Sequence, residues 1–178
     1  MPATVQIHRI TGAPGDAIDI TSVSTRANAE DRHSQSGTAN AVKIPDSGYN
    51  YSFWVSTRLY VATGLTGIID NIKWYTDGVN SLGTGVTCIG NDATTYKQAT
   101  GIIGTSGIEL NVTNHNYLTG APVSAFTFTS ASPKSVPGSI SVSAGYVGNL
   151  MIYQIKVDST ASVGTTGVET FTWQYDET

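Results

Sequence analysis

The stretch YSFWVSTRLYV (51–61) alternates in a way that few folds accept. Tyr51, Phe53, Val55, Leu59 and Val61 fall on one side, and Ser52, Ser56 and Arg58 on the other. Side chains of a strand point to opposite faces in turn, so a one-residue slip would exchange the two sets, and the alternation fixes the register. Two further stretches behave alike. In NLMIYQIKVD (149–158), Met151, Tyr153, Ile155 and Val157 oppose Asn149, Gln154 and Lys156, although Leu150 and Ile152 blur the first half. In VETFTWQYDET, Phe171, Trp173 and Tyr175 oppose threonines and Gln174. No comparable stretch carries apolar residues at the helical spacing i, i+3, i+4, i+7.

The chain therefore divides into short runs rich in Val, Ile, Thr, Tyr and Trp, bounded by Gly, Asn, Asp and Pro. They fall at 3–10, 16–22, 49–63, 68–76, 85–90, 94–99, 108–114, 123–130, 139–144, 148–158 and 168–176. This pattern predicts one all-β domain over residues 1–178, an antiparallel β-sandwich of about 8–10 strands, jelly-roll-like or Ig-like in strand order. The three alternating strands are expected to form the centre of its core, completed by Ile72, Trp74, Phe126 and Phe128. The last of them is expected to run beside 148–158. Asp77-Gly78 sits where a hairpin needs positive φ, and TGLTGI (63–68) and GTTG (164–167) read as hairpin loops.

Residues 23–47 break the pattern. They hold almost nothing apolar enough to bury, and a structureless stretch of that length is usually functional or disordered. The expectations are a mobile loop, an extended arm ordered by a neighbouring subunit, or a short helix over ANAEDRHS (27–34). On the first two, removing residues 26–40 leaves the fold intact.

Charge limits the function classes. Charged residues make up 12% of the chain, about half the usual share, and Ser and Thr take their place. The net charge is −4 and the nine Lys and Arg are scattered, so no patch is present for direct nucleic-acid binding. No apolar run reaches the roughly 20 residues of a membrane helix. The start MPATVQIHRI lacks the pattern of a secretory signal, whereas the Thr/Ser/Gly-rich composition suits an extracellular surface. A virion protein assembled in the host cytoplasm and released by lysis reconciles the two. Cys88, the single cysteine, lies in the short apolar run GVTCIG and is expected to be a buried small hydrophobe.

Catalytic patterns are missing. No serine has glycine at both −2 and +2, and GTGVTCIG (83–90) is followed by no Lys-Ser/Thr. His8, His33 and His115 stand far apart and are expected to be surface or strand residues. The oxygen-rich stretches 70–80 and 90–95 lack the density of a calcium loop, and turn chemistry accounts for both. No enzymatic activity, cofactor or metal is expected. Trp54 and Tyr60 fall opposite the inferred core face of the 49–63 strand, and Tyr75 opposes Trp74, so they are either an exposed contact surface or, equally, the second covered face of a long central strand. With Arg26, Arg32 and His33 of the polar segment, these are the candidate interaction surface.

The order YSFWVSTRLYV–TGLTGIIDNIKWYTDG, the segment TTYKQATG, and the terminal GNLMIYQIKVDSTASVGTTGVETFTWQYDE resemble small structural proteins of tailed bacteriophages. The resemblance covers roughly residues 49–100 and 146–177, and it brings no catalytic residues with it. It implies a β-sandwich on the capsid exterior, a decoration or minor capsid protein. Its partners would be the major capsid protein or other virion subunits and further copies of itself, a trimer at a symmetry axis being one arrangement. The alternative is a carbohydrate- or receptor-binding module of tail or adhesin type.

Overall fold

The computed structural model describes residues 2–178 except Gly37, Leu65 and Val142. Its strands are β1 (Thr4–Thr11), β2 (Asp16–Asp19), β3 (Tyr49–Tyr51), β4 (Val55–Thr63), β5 (Ile68–Tyr75), β6 (Val86–Ala93), β7 (Gly101–Ile102), β8 (Ser106–Gly107), β9 (Val123–Ser124), β10 (Lys134–Ser135), β11 (Ile140–Ser141), β12 (Gly145–Asp158) and β13 (Thr172–Glu177). Every ladder between them is antiparallel. The first sheet has the order β2-β1-β4-β12-β6-β9, with β3 also on β12. In the second sheet β5 carries β10 and β11, and also pairs with β13. The short β7–β8 hairpin stands apart. The all-β, sandwich-like architecture is as expected.

The main core lies between the two sheets. Val55, Leu59 and Val61 of β4 and Val147, Met151, Tyr153 and Val157 of β12 meet Ile69, Ile72 and Trp74 of β5. Cys88 of β6 belongs to the same cluster, so it is the buried hydrophobe the sequence suggests, and burial pushes its thiol up to about 12. A second cluster lies on the other face of the first sheet. Here Phe53, Trp54, Ala93, Leu150 and Ile152 pack with Ile10, Ala29, Ala99 and Leu110. Leu150 and Ile152 blur the alternation of β12 because both faces of that half-strand are covered.

Several expected elements are different. Residues 94–99 and 108–114 are loop, and 123–130 is a two-residue strand followed by a 3-10 turn over Ala125–Thr127. The stretch 49–63 is broken at Ser52–Trp54 into β3 and β4. The connections at 64–67, 76–85 and 159–171 are not hairpin loops, because each carries the chain from one sheet to the other. Gly78 does adopt the positive φ of a tight turn, at 86°.

The last strand is also placed differently. β13 pairs with β5 rather than β12, with Trp173 opposite Trp74. Phe171, Trp173 and Tyr175 are half-buried against the rim of the main core rather than at its centre. Phe171 stacks on Trp74 and lies against Tyr153, with centroids 4.9 and 4.6 Å apart. The ladder continues to Thr178, which exchanges two backbone hydrogen bonds with Ile68.

The described residues of 23–47 have no regular secondary structure, but they are not a detached arm. Asn28 and Ala29 are buried, and Ala27, Val42 and Ile44 pack against the main core. The Phe53 N–H donates to the Asn28 carbonyl, and the Ala29 N–H donates to that of Asn40. The buried guanidinium of Arg9 donates to Thr25 Oγ1 and the Arg26 carbonyl, each at 2.6 Å. Hydropathy misses this anchoring because it is made by polar and backbone groups.

Two deletions test the arrangement. Ending the chain at Val168 is expected to abolish cooperative urea unfolding. Phe171→Ala alone should cost about 3 kcal/mol of a total of roughly 5–15 kcal/mol. Deleting residues 26–40, harmless on the sequence expectation, is now expected to destabilise by at least about 3 kcal/mol, because it leaves the Arg9 charge buried without its carbonyl acceptor. Wild-type-like unfolding of either deletion would contradict the packing described.

Candidate functional site

The outer face of the first sheet is closed over one half and open over the other. The closed half lies under residues 94–118 and part of 23–47, which supply Ala29, Ala99 and Leu110 to the second cluster. Trp54 is inside this half, only 3% exposed, with its indole N–H donating to the Lys97 carbonyl at 3.0 Å. It is therefore a core residue and not a surface platform, and of the two readings of this face the covered one holds at Trp54.

The open half lies where these covers stop. Strand registers build a small grid there. Gln6, Tyr60 and Tyr146 face one another across β1, β4 and β12, and Asp19, His8 and Arg58 do so across β2, β1 and β4. The His8 ring stacks on Tyr60 with centroids 4.6 Å apart, and Tyr146 stands edge-on to both, at 5.6 and 5.1 Å. The Arg58 guanidinium lies 5.3 Å from the Tyr146 centroid, and its Nε donates to the Gly148 carbonyl at 2.6 Å. These contacts hold the rings and the cation in one arrangement while leaving Tyr146 37% exposed.

The imidazole of His8 is held on both sides. Its Nε2 lies 3.0 Å from Gln6 Oε1, an acceptor, so Nε2 carries the proton. Nδ1 is then free to accept from the Tyr146 hydroxyl at 3.3 Å. Burial lowers the His8 pKa against the opposing pull of Asp19, which favours this neutral form. Asp19 is itself held below the usual carboxylate range by hydrogen bonds from Thr21.

The other residues singled out in the sequence are dispersed. Tyr75 is half-buried on the second sheet opposite Thr172. Arg26 and His33 help anchor the 23–47 segment, through the Arg26 backbone and a 3.1 Å contact of His33 Nδ1 with Thr25 Oγ1. Arg32 is exposed. Of the six residues only Tyr60 belongs to the grid. His8, Arg58 and Tyr146 were missed, since their adjacency depends on β1, β4 and β12 being neighbours. The alternation Gln6, His8, Ile10 was the available signal for one strand of it.

The oxygen-rich stretches serve turns and the inter-sheet contact. Asp77 and Asn80 accept from the N–H groups two residues on, and Asp92 pairs with Lys134 at 2.7 Å. Among the described residues no group of three or more His, Cys, Asp or Glu is placed to hold a metal ion. Nor, among the described residues, is any helix long and apolar enough to cross a membrane. Compared with known proteins, the chain matches no family model, no curated protein and no solved structure.

His115, expected at the surface or on a strand, is instead fully buried in a loop, edge-on to Trp54 at 5.3 Å. Neither ring nitrogen has a hydrogen-bond partner among the described residues. Burial, aided by the Lys97 charge, lowers its pKa from 6.5 to about 4. The unfolded chain therefore takes up a proton first, and stability is lost as pH falls through this window. The loss expected, after allowance for residual screening, is on the order of 2 kcal/mol. Urea unfolding at steps between neutral pH and pH 4 should show it, and His115→Phe should flatten the curve.

Proposed function

We propose that the chain is a virion structural protein, a capsid decoration or minor capsid protein of a tailed bacteriophage, which stabilises the shell through subunit contacts. The observation that best supports this reading is the β7–β8 hairpin. Its tip presents Ile102 and Ile103, 68% and 67% exposed, on a chain with few charges nearby in sequence. The hairpin is held firmly, since Lys43 N–H donates to the Thr105 carbonyl and Gly104 N–H to that of Ala29. Tyr51 N–H also donates to Ser106 Oγ. An anchored hairpin ending in two exposed isoleucines fits docking into an apolar pocket on a neighbouring subunit, where little loop entropy remains to be lost. The partners proposed are the major capsid protein, other virion subunits and further copies of this chain, on the capsid exterior.

A second reading has its own support. The preorganised His8–Tyr60–Tyr146 grid fits a carbohydrate- or receptor-binding module, because exposed rings stack on sugars and planar polar groups bond their hydroxyls.

The virion reading is tested by adding purified protein to empty shells assembled from the major capsid protein of the same phage. Co-sedimentation with the shells and a rise in their melting temperature are expected. Ile102→Asp with Ile103→Asp should weaken binding at least about tenfold, the effect of one lost apolar anchor. No association at high protein excess would sink the proposal.

A further inference from the structure

We propose that the open half of the outer face binds a saccharide bearing a carboxylate, such as a uronic acid. The proposal rests on the carbohydrate-binding reading and adds the chemical class of ligand. Recognition here must come from side chains alone. β1, β4 and β12 are each paired on both sides, so none of the three strands bearing the rings and Arg58 offers an unpaired edge to an added peptide strand, and the edge beside them is the four-residue β2. The outward side chains available are Gln6, His8, Arg58, Tyr60 and Tyr146, with Asp19 at the margin. Gln6 and Tyr146 take up both ring nitrogens of His8, which leaves the Tyr60 hydroxyl, the Gln6 amide N–H groups and the remaining lone pairs of the Tyr146 hydroxyl to bond a ring carrying many hydroxyls.

Charge selects the acidic member of that class. Arg58 keeps its terminal guanidinium nitrogens beyond the single bond from Nε to Gly148. Among the described residues the ion pair present is Lys134–Asp92, so Arg58 has no carboxylate of its own. The nearest acid across the strands, Asp19, is already bonded by the Thr21 N–H and hydroxyl. A chain with net charge −4 thus presents, beside the His8–Tyr60–Tyr146 rings, a cation with no ion pair among the described residues. Guanidinium and carboxylate match as planar forks, and the flanking rings lower the local dielectric around the pair. The stacking and hydrogen bonds that already fix the rings reduce the entropy lost on binding.

The test titrates the full chain with oligogalacturonate, its neutral methyl ester, and hexaglutamate, followed by NMR shifts of the His8 and tyrosine rings and by calorimetry. The acidic saccharide is expected to shift His8, Tyr60 and Tyr146 and to bind about tenfold tighter than the ester, a difference typical of one charge-assisted pair. Arg58→Gln should remove that preference, and Tyr146→Ala should weaken both saccharides, with folding of each variant checked by thermal unfolding. The shift map on the unaltered chain needs no variant to fold. Equal binding of ester and acid would overturn the carboxylate assignment while leaving a carbohydrate site in place. Absence of any saccharide binding would overturn both. Hexaglutamate binding as well as oligogalacturonate would overturn the proposal in favour of an acidic peptide. Shell binding, read separately with the isoleucine variants, is independent of all three outcomes.

Discussion

A single buried amide, that of Gln154, governs which part of the central strand is closed to solvent. The side chain is fully buried in β12 and its Nε2 donates to the Ser52 and Ile108 carbonyls at 2.7 and 2.8 Å. Its Oε1 accepts from the Leu110 N–H at 2.7 Å. An unsatisfied amide at this depth would cost a few kcal/mol, so these three partners have to be present for β12 to lie where it does. They sit on two separate segments, the break between β3 and β4 and the loop beginning at Ile108. Drawing both onto the outer face covers Leu150 and Ile152, puts Trp54 beneath the 94–118 region, and leaves His115 without room for solvent. The open grid begins on the part of the strands beyond their reach.

Polar ties of the same type join the remaining pieces. Asp92 of β6 bonds Lys134 of β10, Thr119 and Asn149, linking the two sheets at a carboxylate that these partners hold below its usual range despite burial. Arg9 plays the corresponding part for the 23–47 segment. At the margin, the Ala3 N–H donates to both carboxylate oxygens of Glu177, at 2.8 and 3.0 Å, which ties the first strand to the last. The domain relies on such contacts, together with the second cluster, to hold its irregular segments in place.

How much of this was legible in the sequence follows from what alternation can encode. It gave the strand faces over Val55–Val61 and Ile72–Trp74, because each depends on neighbours within a few residues, while the Asp77-Gly78 pair foretold the positive φ of Gly78 but not that the turn crosses between sheets. It misassigned Trp54, since a residue opposite the core face is exposed only if nothing else covers that face. The partner of β13 was missed because alternation fixes a strand's faces and says nothing of the strand beside it. The 23–47 segment looked detachable because backbone carbonyls receiving a guanidinium leave no trace in hydropathy. The grid required three strand neighbours at once, and only Tyr60 among its members had been singled out.

The position of β12 between β4 and β6 has a further consequence for how the protein is made. Ladders with β4 and β6 join residues 145–157 to partners between 55 and 93, and β3 pairs only with β12, so the first sheet stays in separate parts until the ribosome has passed residue 158. Contacts this distant in sequence slow folding. Throughout that interval β4 and β6 each present an unpaired edge to other nascent chains. Yield in the cell should therefore depend on how long those edges wait, and faster elongation between residues 94 and 144 would shorten their exposure without touching a single native contact.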